Sequence, residues 1–183
     1  MLSDYEESLL TCSGLHDPGT RMHCERVAEV CVQFAERLRM DDTFIDNLRY
    51  AAIFHDVGKI GIDHHILNKP ASFNDGEWAM VHKHPEFGES ILRPLQLHAD
   101  VLKAIRAHHE NYDGSGYPDG SKGAAIPLMA RMIRIADTHD ALRTARPDRE
   151  ALDPLKAKAV MLAHQEVFDP VLLGKFFEML ERP

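Results

Sequence analysis

Two adjacent histidines, His108 and His109, end one predicted helix and are followed at once by a loop rich in glycine, aspartate and proline. Val101 and Ile105 precede them at helical spacing, which predicts a helix with one apolar face. Adjacent imidazoles at a helix end cannot both face the core. One interpretation makes one of them a core residue and the other a surface residue. The alternative points both into a shared cavity, where imidazole nitrogen binds a metal.

A second pair, His55 and Asp56, ends another predicted helix. Ile45, Leu48 and Ala52 form an apolar stripe, and this spacing places the pair at the edge of the stripe. A buried carboxylate is costly unless a cation or several hydrogen-bond donors lie near it. The pair therefore favours a site at which Asp56 meets a cation.

Other helices carry candidates of the same kind. His23 opens the apolar face of a long helix predicted from Thr20, its N-cap, to Met40, and its simpler interpretation is a core histidine. Asp137 lies on the apolar face of a later helix. Asp140 stands on a neighbouring stripe, where it could support a ligand or contact a substrate.

Local pattern does not rank His82, His84 and His98, so only a complete ligand set can choose among them. Lys59 follows Asp56 by three residues, in a turn bounded by glycines. A lysine so close to a candidate ligand could bind a phosphate oxygen, although surface lysines are commoner.

The composition fits one compact domain, with 183 residues, 44% hydrophobic and 27% charged. A formal net charge of −8 argues against sequence-independent binding to nucleic acid, so a phosphate ligand needs local cations. The three cysteines lack zinc-finger spacing, which predicts a reduced, cytoplasmic protein. No apolar run approaches the roughly 20 residues of a membrane span, so we expect no membrane association.

No segment alternates as a strand does, and the predicted fold is an all-α bundle of seven to nine helices with a metal centre in a central cleft. We expect one domain over residues 1–183, with a leading helix and turn (1–19), a metal-binding core (20–170) and a C-terminal helix (171–183). The leading helix is predicted to end at Gly14. Later helices are predicted after Asp41 or Asp42, within 62–73, after Asn74 or Asp75, before His108, from Pro127, and over 153–165 and 170–181.

The collected candidate ligands are His23, His55, Asp56, His84, His108, His109 and Asp137. Seven nitrogen and oxygen ligands are too many for one tetrahedral zinc, but they suit two octahedral-leaning ions that share a bridging carboxylate. Two such ions about 3.5–4 Å apart clamp a phosphodiester and lower the pKa of a bridging water, which attacks phosphorus. The ligand set therefore predicts phosphate-ester hydrolysis.

With this ligand set, the chain resembles the HD-GYP family of cyclic di-GMP phosphodiesterases, a branch of the HD superfamily. The resemblance covers about residues 16–170, through HDPGTRMHCERV, AAIFHDVGKIGI, ILNKP, HKHPEFGESIL, HHENYDGSGYPDG, PLMARMIRIADTHDAL, ARP and FDP. It implies that Asp56 bridges two ions and that Asp137, not Asp140, is a ligand. One ion would be held by His23, His55, Asp56 and Asp137, and the other by Asp56, His84, His108 and His109.

The resemblance also implies a substrate site. Asp56 and Lys59 would serve catalysis, with Lys59 contacting phosphate, while Gly116 and Tyr117 would shape the site beside Asp140. Cyclic di-GMP would be opened to linear pGpG and onward to GMP, and the two divalent ions would be iron or manganese. The basic positions that receive phosphate or guanine match Arg146 and Arg149.

Three departures from the family pattern matter. Gly19 stands where family members with three metals have a glutamate, which predicts two ions here. The loop IDHHIL and Asp148 alter the expected rim of the pocket, which bears on substrate preference and not on the fold. The sensor domains often fused to this family are absent, so the chain either works alone or is an excised output domain with a signalling partner.

Two alternatives therefore stay open beside hydrolysis of cyclic di-GMP. One is a non-catalytic cyclic di-GMP receptor that signals through a partner protein. The other is an HD hydrolase of a different nucleotide, such as cyclic GMP-AMP or a nucleoside monophosphate. The sequence leaves the oligomeric state open.

Overall fold

In the computed structural model, which describes residues 4–17, 19–69, 71–145 and 150–181, the chain consists of α-helices joined by short turns. The described residues form no strand, nine of their helices have seven residues or more, and α4 is a single turn, so the all-α prediction is confirmed. None of these helices is long and apolar enough to cross a bilayer. The helices are α1 (Asp4–His16), α2 (Thr20–Arg37), α3 (Asp42–Phe54), α4 (His64–Leu67), α5 (Asp75–Val81), α6 (His84–Leu92), α7 (Ala99–Ala107), α8 (Leu128–Arg143), α9 (Pro154–Ala163) and α10 (Pro170–Glu181).

Helices α2, α3, α7 and α8 form the centre of the bundle. α2 packs against α3 and α8, and α7 packs against the same two helices. Their inner faces carry large, fully buried side chains such as Phe34, Phe54, Ile105 and Ile133. α10 closes one side, where the ring of Phe176 meets that of Phe34 edge to face, with 5.3 Å between the centroids. Each such side chain stabilises the fold by about 1.5–3 kcal/mol, and these contacts hold in place the helices that carry the candidate ligands.

Two predicted helix starts are confirmed. The Asp41 carboxylate accepts a hydrogen bond from the Phe44 N–H at 2.9 Å and caps α3. Asn74 and Glu77 each accept from the other's backbone N–H, and this reciprocal pair begins α5. Gly14, in contrast, lies inside α1 and does not end it, because helical backbone hydrogen bonds continue beyond it.

Both predicted ends of α2 need correction. Gly19, not Thr20, is the N-cap residue, and the Thr20 hydroxyl instead donates to Asp17 Oδ2 at 2.5 Å. The helix also ends before Met40. Arg39 adopts a left-handed conformation with φ of 57°, and the Met40 N–H donates back to the Ala35 carbonyl at 3.0 Å, a hydrogen-bond pattern that closes a helix.

Gly58 marks the contact between the 3-10 helix Val57–Gly61 and the start of α6. A Cβ atom at Gly58 would collide with the His84 carbonyl oxygen and the Gly88 nitrogen, and would lie 2.9 Å from the His84 carbonyl carbon. Only a hydrogen atom fits between two backbones this close. The glycine therefore sets the distance between Asp56, two residues before it, and His84.

We predict that Gly58→Ala lowers the free energy of unfolding by about 3 kcal/mol, because the added methyl group forces α6 away from the 3-10 helix. Urea denaturation measures the change. Gly174→Ala is the matched control, since a Cβ there meets no atom within 4 Å. Its stability should stay unchanged or rise by up to about 1 kcal/mol, as expected for alanine inside a helix. Equal stability of the two variants would contradict the role given to Gly58.

Candidate metal centre

The structure brings all seven predicted ligands together in the central cleft. His23 lies in the first turn of α2, Asp137 lies in the middle of α8, and the remaining ligands lie at or just beyond the ends of α3, α6 and α7. In the described part of the chain, their ligand atoms form two clusters within which all lie less than 4.8 Å apart. The first cluster is His23, His55 and Asp137, and the second is Asp56, His84, His108 and His109.

Three of the histidines are oriented in the same way by their own backbones. Nδ1 of His55, His84 and His108 lies 2.7, 2.7 and 2.6 Å from the carbonyl oxygen three residues earlier. A carbonyl oxygen can only accept, so each Nδ1 carries a proton, and in the neutral ring each Nε2 presents a lone pair to the cleft. This is the tautomer and orientation of a histidine prepared to bind a metal.

The Nε2 atoms have no adequate partner among the groups of the described residues. Nε2 of His84 lies 3.1 Å from Nε2 of His108, so two acceptors face each other. Nε2 of His55 is buried and has no hydrogen-bond partner in the described part of the chain. Buried polar atoms without partners are costly, and a cation bound at each cluster in place of any Nε2 proton would remove that cost. The donor set therefore fits divalent metal ions.

Asp56 joins the two clusters. Its Oδ1 lies 3.3 Å from Nε2 of His84, and its Oδ2 lies 3.5 Å from Nε2 of His55 and 2.7 Å from Nζ of Lys59. Burial alone would raise the pKa of this carboxyl, but Lys59 and the neighbouring histidines hold the pKa well below its usual range. The carboxylate is therefore ionised, with one oxygen directed toward each cluster.

The second cluster holds neutral imidazoles. Burial lowers the pKa of His84 to about 4, and burial together with neighbouring imidazoles holds the pKa values of His108 and His109 well below their usual range. Neutral imidazole is the form that binds metal. At neutral pH this cluster needs to lose no proton from its histidines before an ion enters.

His23 differs because carboxylates lie on both sides of its ring. Its Nε2 lies 3.1 Å from Asp137 Oδ1, and its Nδ1 lies 2.7 Å from Asp140 Oδ2. Burial alone would lower the pKa of His23, but hydrogen bonds to Asp137 and Asp140 outweigh it and raise the pKa to about 9. Without a metal, His23 is therefore protonated at neutral pH.

Arg26 is a residue that the sequence analysis missed. Its Nε and Nη2 donate to the two oxygens of Asp140 at 2.7 and 2.9 Å. Arg26 follows His23 by three residues on α2, and this spacing is the signal that could have revealed it. Because Asp140 is occupied by Arg26 and His23, its contacts favour the role of supporting a ligand over that of contacting substrate.

The loop after His109 forms a wall of the cleft. The ring of Tyr117 stacks between those of His82 and His109, with centroids 3.9 and 4.8 Å away. A Cβ atom at Gly116 would collide with the His109 carbonyl oxygen and the Asn111 nitrogen. Glycine is required at position 116 for this close approach, which packs the loop onto the backbone of the ligand pair.

Two groups of basic residues were expected near substrate. Lys59 lies in the cleft, paired with Asp56, while Arg146 and Arg149 lie outside the described residues. The structure adds Arg134, whose Nε donates to Asn111 Oδ1 at 3.0 Å. Its Nη1 lies 3.4 Å from Thr138 Oγ1, and these two contacts leave other N–H groups of the guanidinium for an anion.

Comparison with known proteins agrees with this geometry. The HD domain family matches residues 12–172. The 3'3'-cGAMP-specific phosphodiesterase 3 of Vibrio cholerae serotype O1 is 40% identical over 161 residues, a match that covers 86% of this chain and 35% of that protein. The cyclic di-GMP phosphodiesterase response regulator RpfG of Xanthomonas campestris pv. campestris is 40% identical over 158 residues, covering 84% of this chain and 42% of that protein. The chain therefore spans less than half the length of either relative.

A solved structure shares the fold. The crystal structure of a cyclic GMP-AMP specific phosphodiesterase from V. cholerae matches with a TM-score of 0.76 at 20% identity, covering 100% of this chain and 49% of that one. The arrangement of helices around the cleft is therefore common to both.

We predict that binding of a divalent ion to the first cluster releases about two protons at pH 7. The pKa of His23 is about 9. Burial alone would lower the pKa of His55, but Cys24 and Asp56 outweigh it and raise that pKa to about 9 as well, so both rings must lose a proton to bind metal. Affinity there should rise by up to about a hundredfold per pH unit below those pKa values and level off above them. Calorimetry in buffers of different ionisation enthalpy measures the release. Asp140→Asn should reduce it, because the substitution removes a carboxylate that raises the pKa of His23. Binding with no proton release in the unmodified protein would contradict the prediction.

Proposed function

The chain belongs to the HD domain family, and from this we propose that it is a metal-dependent phosphodiesterase that hydrolyses cyclic di-GMP to pGpG and onward to GMP. The predicted resemblance to the HD-GYP phosphodiesterases is confirmed by relatives that are named as phosphodiesterases of cyclic dinucleotides. The substrate and the reaction are the parts that we propose for this chain.

One observation carries the proposal: the buried Asp56 carboxylate directs one oxygen toward each ligand cluster. A carboxylate in this position can serve two ions at once, and two ions suit the two-metal chemistry of phosphodiesters. We propose that both are divalent, with iron or manganese the expected identity. When bound, they would supply Lewis acidity toward a phosphoryl oxygen and would lower the pKa of water.

The protein groups around the ions have separate duties in this proposal. Lys59 approaches the cleft from the 3-10 helix and contributes a positive charge beside Asp56. Arg134 lies one turn before Asp137 on α8, and its guanidinium can bind a second phosphate or a guanine edge. Tyr117 fixes the wall formed by the loop through its stacking on His109.

The relatives support two substrates, because a cyclic di-GMP enzyme and a 3'3'-cGAMP enzyme are each 40% identical to this chain. Product chromatography separates the two. The protein is loaded anaerobically with Fe²⁺ or Mn²⁺ and incubated in parallel with cyclic di-GMP and 3'3'-cGAMP. We expect faster turnover of cyclic di-GMP, with pGpG formed first. Faster turnover of 3'3'-cGAMP would replace the proposed substrate, and tight binding without products would favour the receptor alternative.

We predict that Asp56→Ala abolishes turnover and metal loading together, because the loss of the shared carboxylate leaves both clusters incomplete. Elemental analysis after loading, alongside the hydrolysis assay, measures both effects. Asp63→Ala is the control, since that exposed carboxylate caps α4 away from the cleft. A variant at Asp56 that retains two ions at full occupancy would show that this carboxylate does not bridge them.

A different result is predicted for Lys59→Ala. Loss of one charge-assisted phosphate contact, worth about 1.5–3 kcal/mol, should lower activity by about one to two orders of magnitude with both ions retained. The exposed Lys103 gives a control variant, Lys103→Ala, that should keep full activity. If Lys59→Ala also loses metal, Lys59 serves to hold Asp56 in place, and its assignment as a phosphate contact is wrong.

A further inference from the structure

Cys24 brings a thiol to the edge of the metal centre. It is 1% exposed and lies on α2 directly after His23. Its Sγ, a ring nitrogen of His55 and a carboxylate oxygen of Asp56 form a third cluster within 4.8 Å of one another. The three cysteines lack a metal-binding spacing in sequence, and only the packing of α2 against α3 brings Cys24 to these two ligands.

His55 belongs to both this cluster and the first one, yet it has one nitrogen to offer. Nδ1 donates to the Ala52 carbonyl at 2.7 Å, so Nε2 is its only ligand atom. That Nε2 is buried and has no hydrogen-bond partner among the described residues. An ion bound to His55 can therefore take its other ligands from His23 and Asp137 with the shared Asp56, or from Cys24 and Asp56.

We propose that Cys24 is a thiolate ligand for a soft divalent ion such as Zn²⁺, with His55 and Asp56 as the other two protein ligands. The inference extends the proposed metal centre. Hard and intermediate ions such as Mn²⁺ suit the position beside Asp137, which offers oxygen and nitrogen, whereas thiolate attracts zinc and cobalt. One sulfur, one nitrogen and one oxygen make a three-ligand zinc site with an open fourth position.

Binding of zinc at Cys24 releases protons and leaves His23 and Asp137 without an ion. The thiol of Cys24 releases its proton to solvent as the sulfur–metal bond forms, and His55 binds as the neutral imidazole after any proton on Nε2 has also left to solvent. His23 and Asp137 then stay paired with each other, 3.1 Å apart, and the two-ion arrangement is incomplete. Zinc at Cys24 therefore competes with the ion that hydrolysis requires.

Cobalt absorption tests the assignment directly, because Co²⁺ bound to thiolate gives a charge-transfer band that nitrogen and oxygen ligands do not give. The metal-free protein is titrated anaerobically with Co²⁺. We expect the band in the unmodified protein and its loss in Cys24→Ala. Cys31→Ala is the matched control, because Cys31 is a buried thiol on the same helix that packs in the apolar core, and it should keep the band.

A second readout uses zinc inhibition of the Mn²⁺-loaded enzyme. The Zn²⁺ concentration that halves turnover should rise at least about tenfold in Cys24→Ala, since loss of even an outer partner of a ligand weakens metal binding by that much. A protein that binds two Co²⁺ without a thiolate band, or a band that survives in Cys24→Ala, would overturn the inference. Neither cobalt result depends on the substrate. The proposed phosphodiesterase activity is therefore tested separately, by hydrolysis with Fe²⁺ or Mn²⁺.

Discussion

The fold depends on keeping one carboxylate ionised in the core. Asp56 is 3% exposed, and an ionised carboxylate without partners at that depth would be prohibitively costly. In the metal-free protein its charge is offset by Lys59 at 2.7 Å and by the histidines around it. Those partners lie on or beside α2, α3 and α6, so the requirements of a single charged group help to determine where these three helices meet.

Close backbone contacts at two glycines fix the distances between the elements that carry the ligands. Gly58 lets the 3-10 helix touch the first turn of α6, and Gly116 lets the loop lie on the backbone of His109. In both places a methyl group would separate a ligand from its neighbours. The positions of His84 and His109 are therefore set by close backbone packing, while the side chains of the core set only the approximate arrangement of helices.

Much of this centre could be predicted from sequence because each ligand lies on or beside an apolar stripe that must face the core. The stripe before His55 and Asp56 indicates a buried pair without knowledge of any partner. Sorting the ligands into two clusters came from the family resemblance, since periodicity does not reveal which helices are neighbours. The ends of α2 were misplaced because the Asp17 contact with Thr20 and the left-handed Arg39 depend on local backbone geometry.

The contacts that support the ligands were harder to predict. Arg26 has the spacing of a partner to His23, but its contact with Asp140 needs α2 and α8 side by side. Cys24 has no motif at all, and it reaches His55 only across the packed faces of α2 and α3. A sequence shows which face of a helix is buried, whereas these contacts depend on the distance and rotation between two helices.

The charges of the centre link metal loading to phosphate recognition. Three buried carboxylates, Asp56, Asp137 and Asp140, stand against four cationic groups, which are Lys59, Arg26 and the protonated rings of His23 and His55. The metal-free centre is therefore close to neutral, inside a chain of formal net charge −8 that repels anions at long range. Two divalent ions that displace only the protons of His23 and His55 would make the centre strongly positive, at a depth where salt screens poorly. Attraction of the proposed substrate, a dianionic cyclic dinucleotide, would then begin only after metal loading, because the carboxylates that hold the ions would otherwise oppose the phosphates.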